Sequence, residues 1–296
     1  MALKTSLTIW QRSPLTYVHY AHQLASLSLY YQCLPCQLTQ QQIDLYLVYV
    51  LERTKGKSVT TYKQTIFGIK YYFKHVARLA CPILPSVIQR YGLPVVLSKT
   101  ECRLLFKTPT YLKHRIVLAL IYSAGLRVSE AVKLKLEDLD FERKTLIVRN
   151  GKGNKDRCLP LSVVITRGLH TYLRDFKPKT WLFNSNKIGK QYSTRSIQAV
   201  MQQNLKKANI EKTASVHSLR HSFATHLLEN GVNIVSVQAL MGHAKIETTL
   251  VYLQLLALDT HTGRTAPIYS PEGFLNVGSG IFGFVKIFSK IGNDLS

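Results

Sequence analysis

The sequence predicts a mainly α fold with one small antiparallel β-sheet, an α+β chain in two parts. Three observations carry that expectation. Apolar residues recur at helical spacing over most of the 296 residues. Two strand-like runs face each other across a short connection rich in Gly and Asn. Pro82, Pro85 and Pro94, with Gly92 among them, interrupt the helical pattern over residues 82 to 97, where a linker is expected.

Taken in order, residues 14 to 32 read as a first helix rich in Tyr, Leu and Ala, and residues 39 to 52 as a second, with Ile43, Leu47, Val50 and Leu51 at helical spacing. Ser58 to Val76 is a third, its apolar stripe formed by Tyr62, Ile66, Ile69, Phe73 and Val76. Lys63, Lys70 and Lys74 share one face of it, either a solvated face or a rail for phosphates. After the linker, Ser98 and Glu101 have the spacing of a capping box that opens a helix over 99 to 107, and another follows over 111 to 123. A short helix after Gly125 carries Arg127 and Glu130, and the acidic run Glu137 to Asp140 reads as a turn. Thr145 to Arg149 and Arg157 to Leu161 are the two strands, and Asn150 to Lys155 is the hairpin tip. Helices return over 194–208, 217–230, 233–241 and from about 247 through Tyr252, with Gly231 and Gly242 as stops.

Composition narrows the function. Lys and Arg number 39 against 16 Asp and Glu, a formal charge of +23, which favours a polyanionic partner such as nucleic acid. Lys155 and Arg157, at and beside the hairpin tip, join the lysine row as candidate DNA contacts. Ile116 to Tyr122 is apolar but far shorter than the roughly 20 residues of a membrane span. Met1 to Leu15 holds Trp10, Gln11 and Arg12 where a secretion signal would be apolar, so a cytoplasmic, nucleoid-associated protein is expected. Five irregularly spaced cysteines suit reduced thiols, and Cys33-Leu34-Pro35-Cys36 is a lone pair without a second pair to complete a zinc site.

The chemistry concentrates in Val216-His217-Ser218-Leu219-Arg220-His221, then Leu240-Met241-Gly242-His243, then Tyr252. His217 and Arg220, three apart on a helix, can reach one ligand. Arg127, at a helix start after a glycine turn, is the second guanidinium of a phosphate clamp. Acids are too few and too clustered for a metal site, so no metal and no cofactor are expected. A tyrosine hydroxyl becomes a nucleophile when neighbours take its proton, and a lysine on the hairpin tip can protonate a leaving sugar oxygen. Read from the residues, this is covalent phosphoryl transfer on nucleic acid.

Together and in this order, Gly125-Leu126-Arg127-Val128-Ser129-Glu130, Gly151-Lys152-Gly153-Asn154-Lys155-Asp156-Arg157, His217-Ser218-Leu219-Arg220-His221, Leu240-Met241-Gly242-His243 and Tyr252 resemble the tyrosine recombinase, phage-integrase-like family. The resemblance implies a helical core-binding domain over 1–81, a linker over 82–97, a catalytic domain over 98–256 and an atypical tail over 257–296. It also implies roles. Arg127 and Arg220 would hold the scissile phosphate, and Lys152 would protonate the departing 5′ oxygen. His217 would do acid–base work on the tyrosine, and His243 would donate a hydrogen bond to phosphate. Tyr252 would attack to form a 3′-phosphotyrosyl bond, and Glu130 would support the site. The implied activity is site-specific recombination, without metal or ATP, by a tetramer on double-stranded DNA with paired inverted half-sites.

Residues beyond Tyr252 depart from the family pattern, running through Leu253-Gln254-Leu255-Leu256-Ala257-Leu258 to a stripe of Ile281, Phe284, Val285 and Phe288 interrupted by glycines. A longer docking helix, a new contact and an altered end with little function are the open readings. Two other functions compete: a type IB-like DNA topoisomerase, and a DNA-binding protein that keeps the fold without cleaving. The short helical amino-terminal part argues against the first, and the complete set of six site residues against the second.

Overall fold

The computed structural model describes residues 2–9, 14–54, 59–86, 93–149, 156–185 and 189–260. Its fold is mainly helical with one three-stranded antiparallel sheet, as the periodicity predicts, and the chain divides into two compact units, Met1–Tyr91 and Gly92–Ser296. No helix among the described residues is long and apolar enough to cross a membrane.

The first unit contains α1 (Ala2–Ile9), α2 (Pro14–Tyr31), α3 (Gln40–Arg53) and α4 (Val59–Tyr71). Thr39 caps α3: its hydroxyl accepts from Gln42 N, and the Gln42 side chain returns to Thr39 N at 2.9 Å. Leu24 and Leu27 pack on Ile43, Leu47 and Val50 of α3 and on Ile66, Ile69 and Phe73. Leu51, expected on the same stripe, is exposed, because the buried face of α3 is completed by Tyr46 instead. The helix expected through Val76 changes character at Tyr72, where Tyr72–Ala77 is wound as a π-helix that Arg78 closes in the left-handed conformation. Lys70 and Lys74 are exposed and Lys63 is half-buried. Cys33 and Cys36 are free thiols, the first before and the second within a 3₁₀ turn begun by Pro35, and the Tyr72 hydroxyl donates to Cys36 Sγ at 3.4 Å.

In the second unit α5 (Lys99–Lys107) starts at the expected box: Ser98 Oγ accepts from Glu101 N at 3.1 Å and Glu101 Oε2 from Ser98 N at 2.6 Å. Leu97, at the end of the expected linker, is buried in this unit's core, and its N–H donates to Ser222 Oγ at 2.8 Å. The following helix, α6 (Leu112–Ser123), buries Ile116 to Leu118 and Leu120 to Tyr122, with Ala119 between them partly buried. Apolar side chains all round fit a helix at the centre of a domain, here packed by α5 and by the later helices Val163–Phe176, Thr194–Lys207 and Val216–Glu229. Then come α7 (Val128–Ala131), a 3₁₀ turn at Leu136–Asp138, and strands β1 (Leu139–Asp140), β2 (Thr145–Val148) and β3 (Arg157–Pro160). The sheet order is β1-β2-β3, with Leu146 opposite Leu159 and Val148 opposite Arg157. The acidic turn thus runs into an edge strand, and its buried Asp138 accepts from Lys135 N at 2.9 Å and from Arg149 Nε at 2.6 Å.

Helices α8 (Val163–Phe176), α9 (Thr194–Lys207), α10 (Val216–Glu229), α11 (Ile234–Met241) and α12 (Glu247–Thr260) complete the unit. Three described elements were not expected from the sequence: α1 in the first unit, and β1 and α8 in the second. Helix α8 opens with four β-branched residues and contains Gly168, all poor helix formers, but Ser162 caps it and Ile165, Leu169 and Tyr172 bury one face.

Gly125 turns the chain between α6 and α7 with φ +57°, and a Cβ there would lie 2.5 Å from Phe223 Cδ1. Gly125→Ala is therefore expected to destabilise the unit by about 2–4 kcal/mol, from left-handed strain plus overpacking, seen as a lower thermal midpoint.

Candidate active site

The site is built on helix ends. Helix α10 begins at Ser215, whose hydroxyl accepts from His217 N at 3.2 Å while Ser218 Oγ accepts from Ser215 N at 3.0 Å. That start puts His217, Arg220 and His221 on one face, three and four residues apart. Arg220 is only 1% exposed, and its guanidinium donates to the carbonyls of Gly125 and Met241. Both carbonyls lie at helix ends, Gly125 in the turn after α6 and Met241 as the last residue of α11. The last carbonyls of a helix have no partner within it and attract cations. Gly242, left-handed at φ +61°, stops α11 so that Met241 O faces Arg220 and Leu240 O faces Arg157 Nε at 3.1 Å. The Leu-Met-Gly-His sequence is thus a helix stop that offers two carbonyls to two arginines.

Glu130, on the first turn of α7, gathers the guanidinium groups. Its carboxylate accepts from Arg127 N and Arg127 Nη1, each at 2.8 Å, and from both Nη atoms of Arg157 at 3.0 and 2.7 Å. Arg220 Nη1 lies 3.8 Å away. Burial alone would raise the Glu130 pKa, but the hydrogen bonds and charges of Arg157 and Arg127 bring it down to about 2. Burial, then the Arg127 charge, lowers Arg220 to about 9, so it stays cationic at neutral pH. Three guanidinium groups around one carboxylate leave a net positive pocket, suited to a phosphate diester.

Tyr252, on α12, is 2% exposed, and its hydroxyl lies 3.0 Å from His221 Nδ1. Burial raises the phenol's pKa, while Arg220 and Arg127 oppose the rise. His221 is pulled down to about 4 by burial, then by His217 and Arg220, so its imidazole is neutral at pH 7. His217 is lowered too, by burial and then by Arg220 and Arg127. Its ring edge meets His221 at 4.8 Å between centroids, and among the described residues no hydrogen bond joins the His217 ring to Tyr252. His243 stacks on Tyr252 at 6.4 Å, with Nδ1 held by Thr249 Oγ1 at 3.0 Å.

Arg127, Glu130, His217, Arg220, His243 and Tyr252 therefore converge on one place, although they are spread in sequence from the start of α7 to α12. Arg157, expected at DNA, turns inward and holds Glu130 and Leu240 O with a side chain 10% exposed. Lys152 and Lys155 lie outside the described residues, between β2 and β3. Lys63, Lys70 and Lys74 belong to the first unit. His221 is the residue that sequence reasoning left without a role. Its signal was present, since it stands four residues after His217 and so on the same helical face. Among the described residues no three His, Cys, Asp or Glu side chains gather at metal-binding spacing.

Comparison with known proteins shows the family. Residues 96–258 match the Phage integrase family. The chain is similar to the tyrosine recombinase XerA of Pyrococcus furiosus, 35% identical over 216 residues that span 69% of this chain and 73% of that one. The tyrosine recombinase XerD of Staphylococcus aureus is 37% identical over 230 residues, 73% of this chain and 78% of that one. Among solved structures, the crystal structure of XerA recombinase aligns with TM-score 0.53 at 27% identity, covering 89% of this chain and 97% of that one. XerH site-specific recombinase bound to a palindromic difH substrate shares the fold, with TM-score 0.69 at 21% identity, covering 88% of this chain and 83% of that one.

Proposed function

The chain belongs to the phage integrase family as a tyrosine-type site-specific recombinase, and from that premise we propose that it cuts and rejoins duplex DNA through a covalent bond between Tyr252 and a 3′ phosphate. The observation that carries the mechanism is the Tyr252 hydroxyl, held by a neutral imidazole in the same cluster as Arg127 and Arg220. Arg127 and Arg220 bind the non-bridging oxygens of the scissile phosphate. As charge builds on those oxygens in the transition state, two fixed cations in a buried site offset it without reorganisation. His217 shares their corner and serves in acid–base exchange there, and His243 donates to phosphate. Glu130 takes no part in bond making; it fixes the two arginines that flank it in sequence and space.

Attack by the Tyr252 oxygen expels the 5′ oxygen, which Lys152 on the hairpin tip protonates. The phosphotyrosine keeps the energy of the broken diester, so a 5′ hydroxyl from a second duplex can reverse the step without ATP or metal. Exchange between two sites calls for four active centres. The working form is then a tetramer on paired inverted half-sites, acting in integration, excision or resolution of DNA, including that of mobile elements. The amino-terminal helices, with Lys63, Lys70 and Lys74, supply phosphate contacts beyond the site, and Lys155 adds one at the tip. This proposal places the protein with the DNA in the cytoplasm.

The test uses nicked duplexes tiled across the DNA beside the gene, in which a cut strand cannot be resealed. Wild type is expected to form a covalent adduct at one sequence without Mg²⁺, and Tyr252→Phe none. Relaxation of any supercoiled plasmid irrespective of sequence would instead indicate a topoisomerase.

A further inference from the structure

We propose that His221 is the group that holds the Tyr252 hydroxyl and takes its proton as the phenol attacks phosphorus. The inference rests on the recombinase reading for the attack step, and on geometry alone for the hydrogen bond.

The two histidines of α10 face different neighbours. The charges that act on His217 are Arg220, Arg127 and Glu130, which form the phosphate corner. His221 instead touches the nucleophile: Nδ1 is 3.0 Å from Tyr252 Oη, with ring centroids 5.6 Å apart. A phenol that retains its proton needs an acceptor when it is buried, because an unmet O–H has given up its bond to water for nothing. Among the described residues that acceptor is His221 Nδ1. A neutral imidazole has one bare nitrogen, so the hydroxyl donates to Nδ1 and the ring carries its own hydrogen on Nε2. Burial and the His217 and Arg220 charges keep the imidazole neutral in the DNA-free protein.

The groups facing His221 are His217 and Arg220 on its own helix, Tyr252 on α12 with His243 stacked behind it, and Arg127 and Glu130 beyond Arg220. A bound phosphate diester adds a negative charge beside Arg220 and Arg127. That charge offsets the cations that depress the imidazole and makes His221 a stronger base at the moment of reaction. In the step itself the Tyr252 O–H bond breaks and its proton goes to Nδ1, leaving an imidazolium. The Oη–P bond forms and the P–O5′ bond breaks, with Lys152 supplying the proton to the 5′ oxygen. In rejoining, Nδ1–H returns the proton to Tyr252 as it leaves phosphorus.

Two measurements test this. Nitrogen NMR of the DNA-free protein is expected to show His221 Nδ1 without a hydrogen at pH 7. A hydrogen on Nδ1 overturns the proposal whether or not the protein is a recombinase. The second compares single-turnover cleavage by wild type, His221→Asn and Lys152→Ala on nicked DNA with oxygen or sulfur at the scissile 5′ position. A thiolate leaves without a proton, so sulfur rescues loss of the general acid and nothing else. The asparagine carbonyl can hold the hydroxyl but cannot carry its proton. His221→Asn is expected to cut about a hundredfold more slowly on both substrates, with DNA affinity and thermal midpoint unchanged, while Lys152→Ala is slow only on oxygen. Wild-type rates in His221→Asn, or its rescue by sulfur, would overturn the assignment. Cleavage that persists in Tyr252→Phe would overturn the recombinase mechanism and leave the nitrogen measurement standing.

Discussion

Arg220→Lys is expected to lower strand cleavage by about a thousandfold or more and to lower stability at the same time. A guanidinium has five N–H donors in a fixed plane. In Arg220 two are committed to the Gly125 and Met241 carbonyls, which orients the remainder toward the site. A lysine ammonium is a point charge with three donors and no fork, so it cannot satisfy two carbonyls and still meet two phosphate oxygens. The residue is 1% exposed, so an unmet carbonyl left behind is not repaired by water. Single-turnover rates and thermal melts of the variant measure both effects. A variant that melts lower yet cuts at the wild-type rate would show that Arg220 is a structural clasp only.

Glu130→Gln is expected to be the most destabilising change of a single charge in the site. The carboxylate faces the guanidinium groups of Arg127 and Arg157, with Arg220 behind them. Its folded pKa of about 2 lies below the ordinary value of 4.5. A group depressed in the folded state contributes stability above its unfolded pKa and loses it as pH falls through the folded value. Glu130 thus contributes about 3 kcal/mol at neutral pH, lost progressively between pH 4.5 and 2. The glutamine variant should melt lower at pH 7, and its deficit should shrink as pH falls through that window. A constant deficit at every pH would contradict the pairing. Activity should fall with it, because Arg127 loses the partner that fixes it 2.8 Å away.

Local signals were legible where one segment contains its own reason. Ser98 and Glu101 cap α5 from three residues apart, and Gly242 ends α11 because its left-handed backbone suits a residue without Cβ. The strands β2 and β3 were legible from β-branched residues on either side of a connection rich in Gly and Asn. Other features depend on partners far away in the chain. Arg157 looked like a DNA contact from its charge and its place beside the tip, but Glu130 on α7 and Leu240 on α11 claim its guanidinium. Helix α8 is held by burial against α6 and goes against its own propensity. The role of His221 depends on α12 folding back onto α10, which brings Tyr252 to it from 31 residues away. Arg127, His217, Arg220, His243 and Tyr252 were singled out by order and spacing, yet the helix stop that offers carbonyls to Arg157 and Arg220 became visible only in three dimensions.

In the proposed mechanism the Tyr252 hydroxyl oxygen is the atom that joins the protein to DNA. The most direct measurement is mass spectrometry of the trapped complex after protease and nuclease digestion. The account predicts a nucleotide attached through its 3′ phosphate to the peptide containing Tyr252, a free 5′ hydroxyl on the released strand, and no adduct from Tyr252→Phe. A nucleotide on another residue, or an undiminished adduct in that variant, would contradict it.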